Sequence, residues 1–174
     1  LYAGQPARQI IARDISYRKR LERELAYQAT HDSLTGAINR SSLIDKLNDA
    51  IGFADRHGFP VWVAFVDLDR FKQVNDRHSH LVGDQVLSQI ARLMRLHVRE
   101  QDLAARLAGD EFALMCRRTV DRMHQFAGQL LHEARRPFTI AGLEVVVTMS
   151  VGVAPLVGSV KDASTVLRRA DIAM

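Results

Sequence analysis

The 174-residue sequence predicts an α+β domain: one sheet with helices packed on its faces. Three observations carry that reading. Stretches with helical periodicity interleave with apolar runs of strand length. Strand runs come in neighbouring pairs separated only by turns, as in hairpins. The resulting order is helix, strand, helix, strand, strand, helix, strand, strand, helix, which differs from the strict βαβ alternation of a parallel sheet.

The elements follow in order. "ARQIIARDIS" reads as a short strand or the end of one. From about Asp14 to Ala29 the chain is rich in Arg, Glu and Leu and free of Gly and Pro, so a connector helix is expected. Leu21, Leu25 and Gln28 fall at heptad-like spacing on it, a short seam. "THDSLTGAINR" is a polar loop. A helix over about Ser41 to His57 has Leu43, Ile44, Leu47, Ile51 and Ala54 at helical spacing and is broken by "HGFP". "VWVAFVDLD", Val61 to Asp69, is β-branched and aromatic without alternation, which fits a central strand covered on both faces. A short helix over "RFKQVNDR" precedes a longer one with Val82, Val86, Ile90, Leu93 and Leu96/His97 on its apolar stripe. "DLAARL" and "EFALMC" form a hairpin. A helix from Asp121 to Arg136 stops at Pro137. "FTIAGLEVVVTMSVGVAPL" gives a strand, a turn at Ala141-Gly142 and one long strand, and the stretch from Asp162 is helical.

Composition narrows the class. Apolar content of 47% and charged content of 25% suit one globular domain with a short appendage. No apolar run approaches the roughly 18 residues of a membrane span. No signal-peptide pattern opens the chain. We expect a cytoplasmic segment, or the cytoplasmic part of a larger protein, without direct membrane contact. Leu1 stands where Met would start a chain and Met174 falls inside a helical stretch, so a piece of a longer protein is expected. The only cysteine, Cys116, excludes a disulfide framework or a cysteine zinc site and reads as a packing residue. Net charge is +4, and in "YRKRLERELAY" Glu22 and Glu24 interleave with the basic residues. That is a solvated helix face, and no nucleic-acid partner is expected.

The chemistry concentrates at carboxylates. In "RLAGDEFALM", Asp110 and Glu111 follow a glycine between two apolar strand runs. Asp67 continues the face of Val61, Val63 and Phe65, where no packing argument explains a charge. Carboxylates brought together repel, and a hard cation removes that cost. A sparse oxygen cluster suits Mg²⁺, which keeps waters and shares its sphere with substrate phosphates. The plainer alternatives are that Asp69 caps the following helix and that Asp-Glu after Gly is ordinary turn chemistry.

"AGDEF", Ala108 to Phe112, resembles the signature of the GGDEF family, the diguanylate cyclase domains. "HDSLTGAINR" resembles that family's opening HDxLTGLxNR, "VDLDRFKQVND" its DxDxFKxxND, "HSHLVGDQVL" its GHxxGDxxL, and "ADIAM" the start of its last helix. The five motifs are collinear from His31 to Met174, about four-fifths of the chain. The preceding segment resembles the last strand of a PAS sensor domain and its exit helix. The organisation implied is a PAS-like remnant over 1–13, a signalling helix over 14–30 and a GGDEF domain over 31–174.

The resemblance implies a nucleotide cyclase/polymerase palm fold, with a central, mainly antiparallel sheet flanked by helices. It implies condensation of two GTP into cyclic di-GMP by a homodimer, one GTP per subunit. By the same resemblance Asp67, Asp110 and the Leu68 carbonyl hold Mg²⁺ or Mn²⁺, and Glu111 supports a second metal and the attacking hydroxyl. Gly109 lets the backbone approach the nucleotide. Lys72 meets phosphate, and the backbone N–H groups of Leu68 to Phe71 surround it. Asn75 and Asp84 read guanine. Arg99 and Asp102 in "REQD" stand at the spacing of the family's RxxD inhibitory site for the product. Besides the family's basic phosphate clamps in the last helix, which fall beyond Met174, two departures are visible: Ala108 replaces the first Gly of the signature and Ser79 the Gly before His80. The former motivates an alternative, a domain that binds GTP or cyclic di-GMP and regulates an attached EAL phosphodiesterase. His78, His80 and Trp62 read as surface or packing residues.

Overall fold

The strand β2 (Val61–Leu68) organises the molecule. It pairs antiparallel with β4 (Glu111–Arg117) on one side and β7 (Met149–Leu156) on the other. All of its positions but Asp67 are apolar because both faces are covered, as the absence of alternation predicts. The chain is described here as a computed structural model over residues 15–58, 60–156 and 162–174. The strand expected within residues 1–13, and its assignment to a sensor domain, lie outside the described residues.

In chain order, α1 (Ser16–Thr30) leads into β1 (Ile38–Asn39) and α2 (Arg40–His57). After β2 come α3 (Phe71–His78), α4 (His80–His97), β3 (Leu103–Ala108), β4 and α5 (Val120–Ala134). A small hairpin, β5 (Phe138–Ile140) and β6 (Leu143–Val145), precedes β7, and α6 (Ala163–Ile172) follows it. The main sheet has the order β1-β3-β4-β2-β7 and is antiparallel except where β1 joins β3. The expected α+β class with a mainly antiparallel sheet is therefore what the chain adopts.

Alternation on β2 and β4 divides the core in two. Ala64, Val66, Leu68, Phe112 and Leu114 pack with α4 and α5. Val61, Val63, Phe65, Ala113 and Met115 pack with α2 and α6. Three layers result, with the C-terminal end of β2 and the β3–β4 turn at one open edge. Cys116 is fully buried, as expected of a packing residue, and burial pushes its thiol up to about 12. Trp62 is half-buried, and its Nε1 donates to the Arg118 carbonyl at 3.0 Å.

Three expectations need correction. The long strand after Gly142 is two strands in different sheets. A turn with Ala141 and Gly142 both at positive φ folds β6 back on β5, and pairing with β2 begins only at Met149. Leu96 is 74% exposed: the buried stripe of α4 runs through Val82, Val86, Ile90 and Met94 and leaves it outside. Asp69 does not cap α3. Arg70, at φ 55, occupies that position, and the Asp69 carboxylate accepts from the Thr148 and Ser150 hydroxyls of the neighbouring segment.

Candidate functional site

Asp67 and Glu111 are direct cross-strand partners in the β2–β4 ladder, and Ser150 stands opposite Asp67 on β7. Both carboxylates project from the α2–α6 face at the last rung before the open edge. Burial raises the pKa of Asp67, and Asp110, Glu111, Asp69 and Asp171 raise it further. Like charge thus converges on one half-buried carboxylate, and Asp171 arrives from α6. Gly152, paired with Phe65, allows this approach: a Cβ there would collide with the Ala170 carbonyl oxygen.

The turn that carries Asp110 is held from behind. Arg106 Nε and Nη2 donate to the Gly109 carbonyl at 3.0 and 2.8 Å, and Nη1 donates to Asp32 at 3.1 Å. Burial opposes the charge of Asp32, but the Thr35 hydroxyl and amide and Arg106 outweigh it and hold the carboxyl below its usual range. Gly109 has φ 50, which a side chain would strain, and a Cβ there would meet nothing in the protein. Ala108, by contrast, ends β3 just past a register shift after Arg106, pairs with Glu111 and lacks a positive φ. The methyl group in place of the signature's first glycine therefore strains no backbone.

Across the open edge, α3 and α4 bring Asn75 and Asp84 together. Asn75 Oδ1 lies so close to Gly83 that a Cβ at position 83 would collide with it. Asp84 is the next residue on α4 and is exposed, as is Lys72 on α3. Leu68 and Phe71 are buried and fix the β2–α3 connection. The amide of residue 69 donates to the Thr148 carbonyl at 2.9 Å, so it is not free for a phosphate, unlike the expectation for the whole Leu68–Phe71 run.

Among the described residues no group of three or more His, Cys, Asp or Glu stands ready to enclose a metal ion. The Asp67–Glu111 pair nevertheless fits Mg²⁺ of the kind that completes its coordination with substrate and water oxygens. The raised pKa of Asp67 is the electrostatic mark of that fit: ionising it uncompensated is costly.

Arg99 and Asp102 lie elsewhere. They flank the start of β3, about 20 Å along the hairpin from the signature turn at roughly 3.3 Å per residue. Arg99 is exposed. Asp102 has no exposed side-chain surface: it accepts from the Arg99 and Arg117 amides at 3.1 and 3.0 Å and pairs with Arg118 Nη2 at 2.7 Å. The Arg118 guanidinium also packs over Phe126 at 4.1 Å. A ligand at this corner meets Arg99 and not the Asp102 carboxylate.

A family model described as Diguanylate cyclase, GGDEF domain matches residues 29–174. The chain belongs to the GGDEF domain family. The bifunctional diguanylate cyclase/cyclic di-GMP phosphodiesterase MucR of Pseudomonas aeruginosa is 40% identical over 157 residues, which cover 89% of this chain and 23% of MucR. The cyclic di-GMP phosphodiesterase PdeR of Escherichia coli is 35% identical over 162 residues, 92% of this chain and 24% of PdeR. The chain spans about a quarter of each of these relatives. The coiled coil and GGDEF domain of DgcB from Caulobacter crescentus, solved with c-di-GMP, superposes with a TM-score of 0.82 at 28% identity, covering 90% of this chain and 84% of that one.

Sequence reasoning missed Arg106, Asp32, Thr35 and Asp171. Arg106 left a signal, a lone charge in the apolar run "LAARLA" beside the signature. Asp32 and Thr35 sit in a motif that was visible, without a visible partner. Asp171 likewise sits in the visible "ADIAM" motif without a visible partner, because only the close packing of α6 on β7 brings it to Asp67.

Proposed function

We propose that this GGDEF domain is a diguanylate cyclase that condenses two GTP into cyclic di-GMP and releases two pyrophosphates. The observation that carries the proposal is the cross-strand Asp67–Glu111 pair, where burial and then convergent charge raise the pKa of Asp67. Asp67, Asp110 and the Leu68 carbonyl hold the divalent cation, Mg²⁺ or Mn²⁺, and Glu111 supports a second. When bound, such cations neutralise phosphate charge and polarise the α-phosphorus. Asn75 and Asp84 accept hydrogen bonds from the guanine N1–H and exocyclic amine, groups that adenine does not present in the same way. Lys72 meets a phosphate as a mobile point charge. The bare backbone at Gly109 leaves room for the nucleotide.

Each subunit of a homodimer holds one GTP. The 3′-hydroxyl of one nucleotide attacks the α-phosphorus of the other. A new O3′–P bond forms, the bond to pyrophosphate breaks, and the hydroxyl proton passes towards Glu111. Repetition with the roles exchanged closes the ring. Arg106 and Asp32 touch no reacting atom here; they position the turn. At the far end of the hairpin, Arg99 offers a guanidinium to product, and Asp102 holds the corner that presents it.

Incubation with GTP and Mg²⁺, followed by chromatography of the nucleotides, tests the reading. Cyclic di-GMP is expected from the wild type and not from Asp110→Ala. The match to PdeR, named a phosphodiesterase, favours a second reading in which the domain binds GTP or cyclic di-GMP and regulates an attached catalytic domain such as an EAL phosphodiesterase. Nucleotide binding by calorimetry without any turnover would select that reading.

A further inference from the structure

Between α3 and the segment that joins β6 to β7 lies a slot of about 380 Å³. Arg70, Gln73, Val74 and Arg77 line one wall, a single face of α3. The other wall is five consecutive residues, Glu144 to Thr148. Burial alternates along that run: Val145 and Val147 are buried, Val146 and Thr148 exposed. A period of two marks an extended chain whose successive side chains leave on opposite faces. Five consecutive residues can then border one slot only along their backbone edge.

That edge is free because of how β2 ends. β2 pairs with β7 as far as Leu68 and Met149, and one further bond runs from the Asp69 amide to the Thr148 carbonyl. There the β2 chain turns away into α3, whereas the partner chain runs through Val147 and Val146 to β6. Neither of these valines makes a backbone hydrogen bond with a described residue. Unpaired N–H and C=O groups along an extended run are a template for an added strand.

We infer that this slot receives an extended peptide segment of a partner protein, added as a short strand alongside Val146 and Val147 and carrying two acidic side chains on one face. The inference does not depend on the nucleotide reading. Arg70 and Arg77 stand at the two ends of the helical wall, both exposed, and neither guanidinium is in an ion pair with a described residue. Seven steps of helix separate their Cα atoms by about 10 Å. Alternate residues of a strand share a face and lie about 7 Å apart, a difference that two long arginine side chains close. Each carboxylate then takes one charge-assisted pair. Val74 and the 57% exposed Val146 suit an apolar residue between the two acids. Two carboxylates of the slot limit the charge it takes. That of Asp69 is held by the Thr148 and Ser150 hydroxyls, and the exposed Glu144 disfavours a third acid at its end. The volume lies at the low end of the roughly 300–1,000 Å³ of ligand pockets, which suits a segment of a few residues.

The probe is a fluorescein-labelled, capped hexapeptide, Thr-Glu-Val-Glu-Val-Thr, titrated with the protein and followed by fluorescence anisotropy. Two related peptides separate the contributions. One has Gln for both Glu; the other has alternate amides N-methylated, which keeps the charges and removes ladder donors. We expect saturable binding by wild type. The Gln peptide, the N-methylated peptide and the Arg77→Gln variant should each weaken it about tenfold or more, as the loss of a charge-assisted contact or of ladder bonds implies. Val146→Pro, which removes an N–H from the free edge, should do the same, and Arg122→Gln on α5 should match wild type. The inference is overturned if wild type shows no saturation up to about 1 mM protein. It is overturned if the N-methylated peptide binds like its parent, which removes the added strand. It is overturned if Arg122→Gln weakens binding as much as Arg77→Gln, which marks general charge attraction. A wild-type dimer seen by light scattering that peptide leaves intact and Arg77→Gln dissociates would place a second copy of the chain in the slot and overturn it too.

Discussion

Asp67 shows how one residue carries the site's electrostatics. Its raised pKa means that the folded protein holds the proton more tightly than the unfolded chain. Stability is therefore undiminished below the ordinary aspartate value of 3.8 and falls as pH rises through the folded-state value. At neutral pH the ionised carboxylate is a liability, discounted by its solvent exposure. Asp67→Asn is thus expected to raise the Tm in a chelator by about 1–3 °C, a few tenths of a kcal/mol. Millimolar Mg²⁺ should reverse the order, because only the wild type gains from binding. Differential scanning calorimetry at pH 7.5 with and without Mg²⁺ decides it; an Asp67→Asn variant less stable than wild type in chelator would refute the electrostatic account. Ser79 is the other residue with a cost. At φ 100 and ψ 158 it occupies a region almost restricted to glycine, between α3 and α4. Ser79→Gly is expected to stabilise the fold by about 1–2 kcal/mol in urea denaturation, and no gain would mean that local contacts offset the strain. Asp67 was legible in the sequence because a charge interrupts an apolar face. The consequence of Ser79 was not, because residue identity alone does not report φ; by the same token, the sequence does not show that Ala108 lacks the positive φ that a glycine there would serve.

At the scale of elements, the β3–β4 hairpin is a lever pinned at both ends. Arg106 ties its turn to the Asp32–Thr35 loop, and Asp102 ties its base to Arg117 and Arg118. The basal pair is buried, and Arg118 Nε finds no partner among the described residues, so Asp102 is the main compensation for that buried charge. Removing one member of such a pair costs about 3–5 kcal/mol, because the other charge stays buried. Asp102→Ala is therefore expected to lose that much stability by denaturant unfolding, whereas Arg99→Ala, at an exposed position, should change it by less than about 0.5 kcal/mol. Equal, small effects would show that Asp102 is free to act as a ligand group. The hairpin itself was legible from two apolar runs around a Gly-Asp turn. Its anchors were not, since both bridge segments distant in sequence. The division of the last strand run into β6 and β7 was equally hidden: "EVVVTMSVG" has unbroken β-character, and only the separate pairing partners split it.

For the whole molecule, the proposed cyclase activity sets a stoichiometry: one chain offers one Asp67–Glu111 pair, whereas a cyclic dinucleotide needs two phosphodiester bonds formed between two facing nucleotides. On that reading, helix α1 offers an apolar stripe for pairing. None of its residues is buried, and Tyr17, Leu21 and Leu25 are exposed at 76%, 46% and 58%. An isolated 15-residue helix is marginal in water, so an apolar stripe of this kind gains most from a partner helix. Its C-terminal end is also fastened to the domain: Asn39 Nδ2 donates to the Ala29 carbonyl at 2.9 Å while Asn39 Oδ1 caps α2 at Ser42. On the same reading, these Asn39 bonds are the route by which a change in how two α1 helices meet would reach the start of α2. If pairing through α1 assembles the two half-sites, Leu21→Glu with Leu25→Glu should leave GTP affinity per chain unchanged and make the rate of cyclic di-GMP formation second order in protein. Specific activity would then fall about tenfold for each tenfold dilution in the range where the wild type is still constant, as mass action requires of an unlinked pair. A dilution series with parallel light scattering measures both quantities. Monomeric variants that keep wild-type specific activity on dilution would show that the half-sites meet without α1.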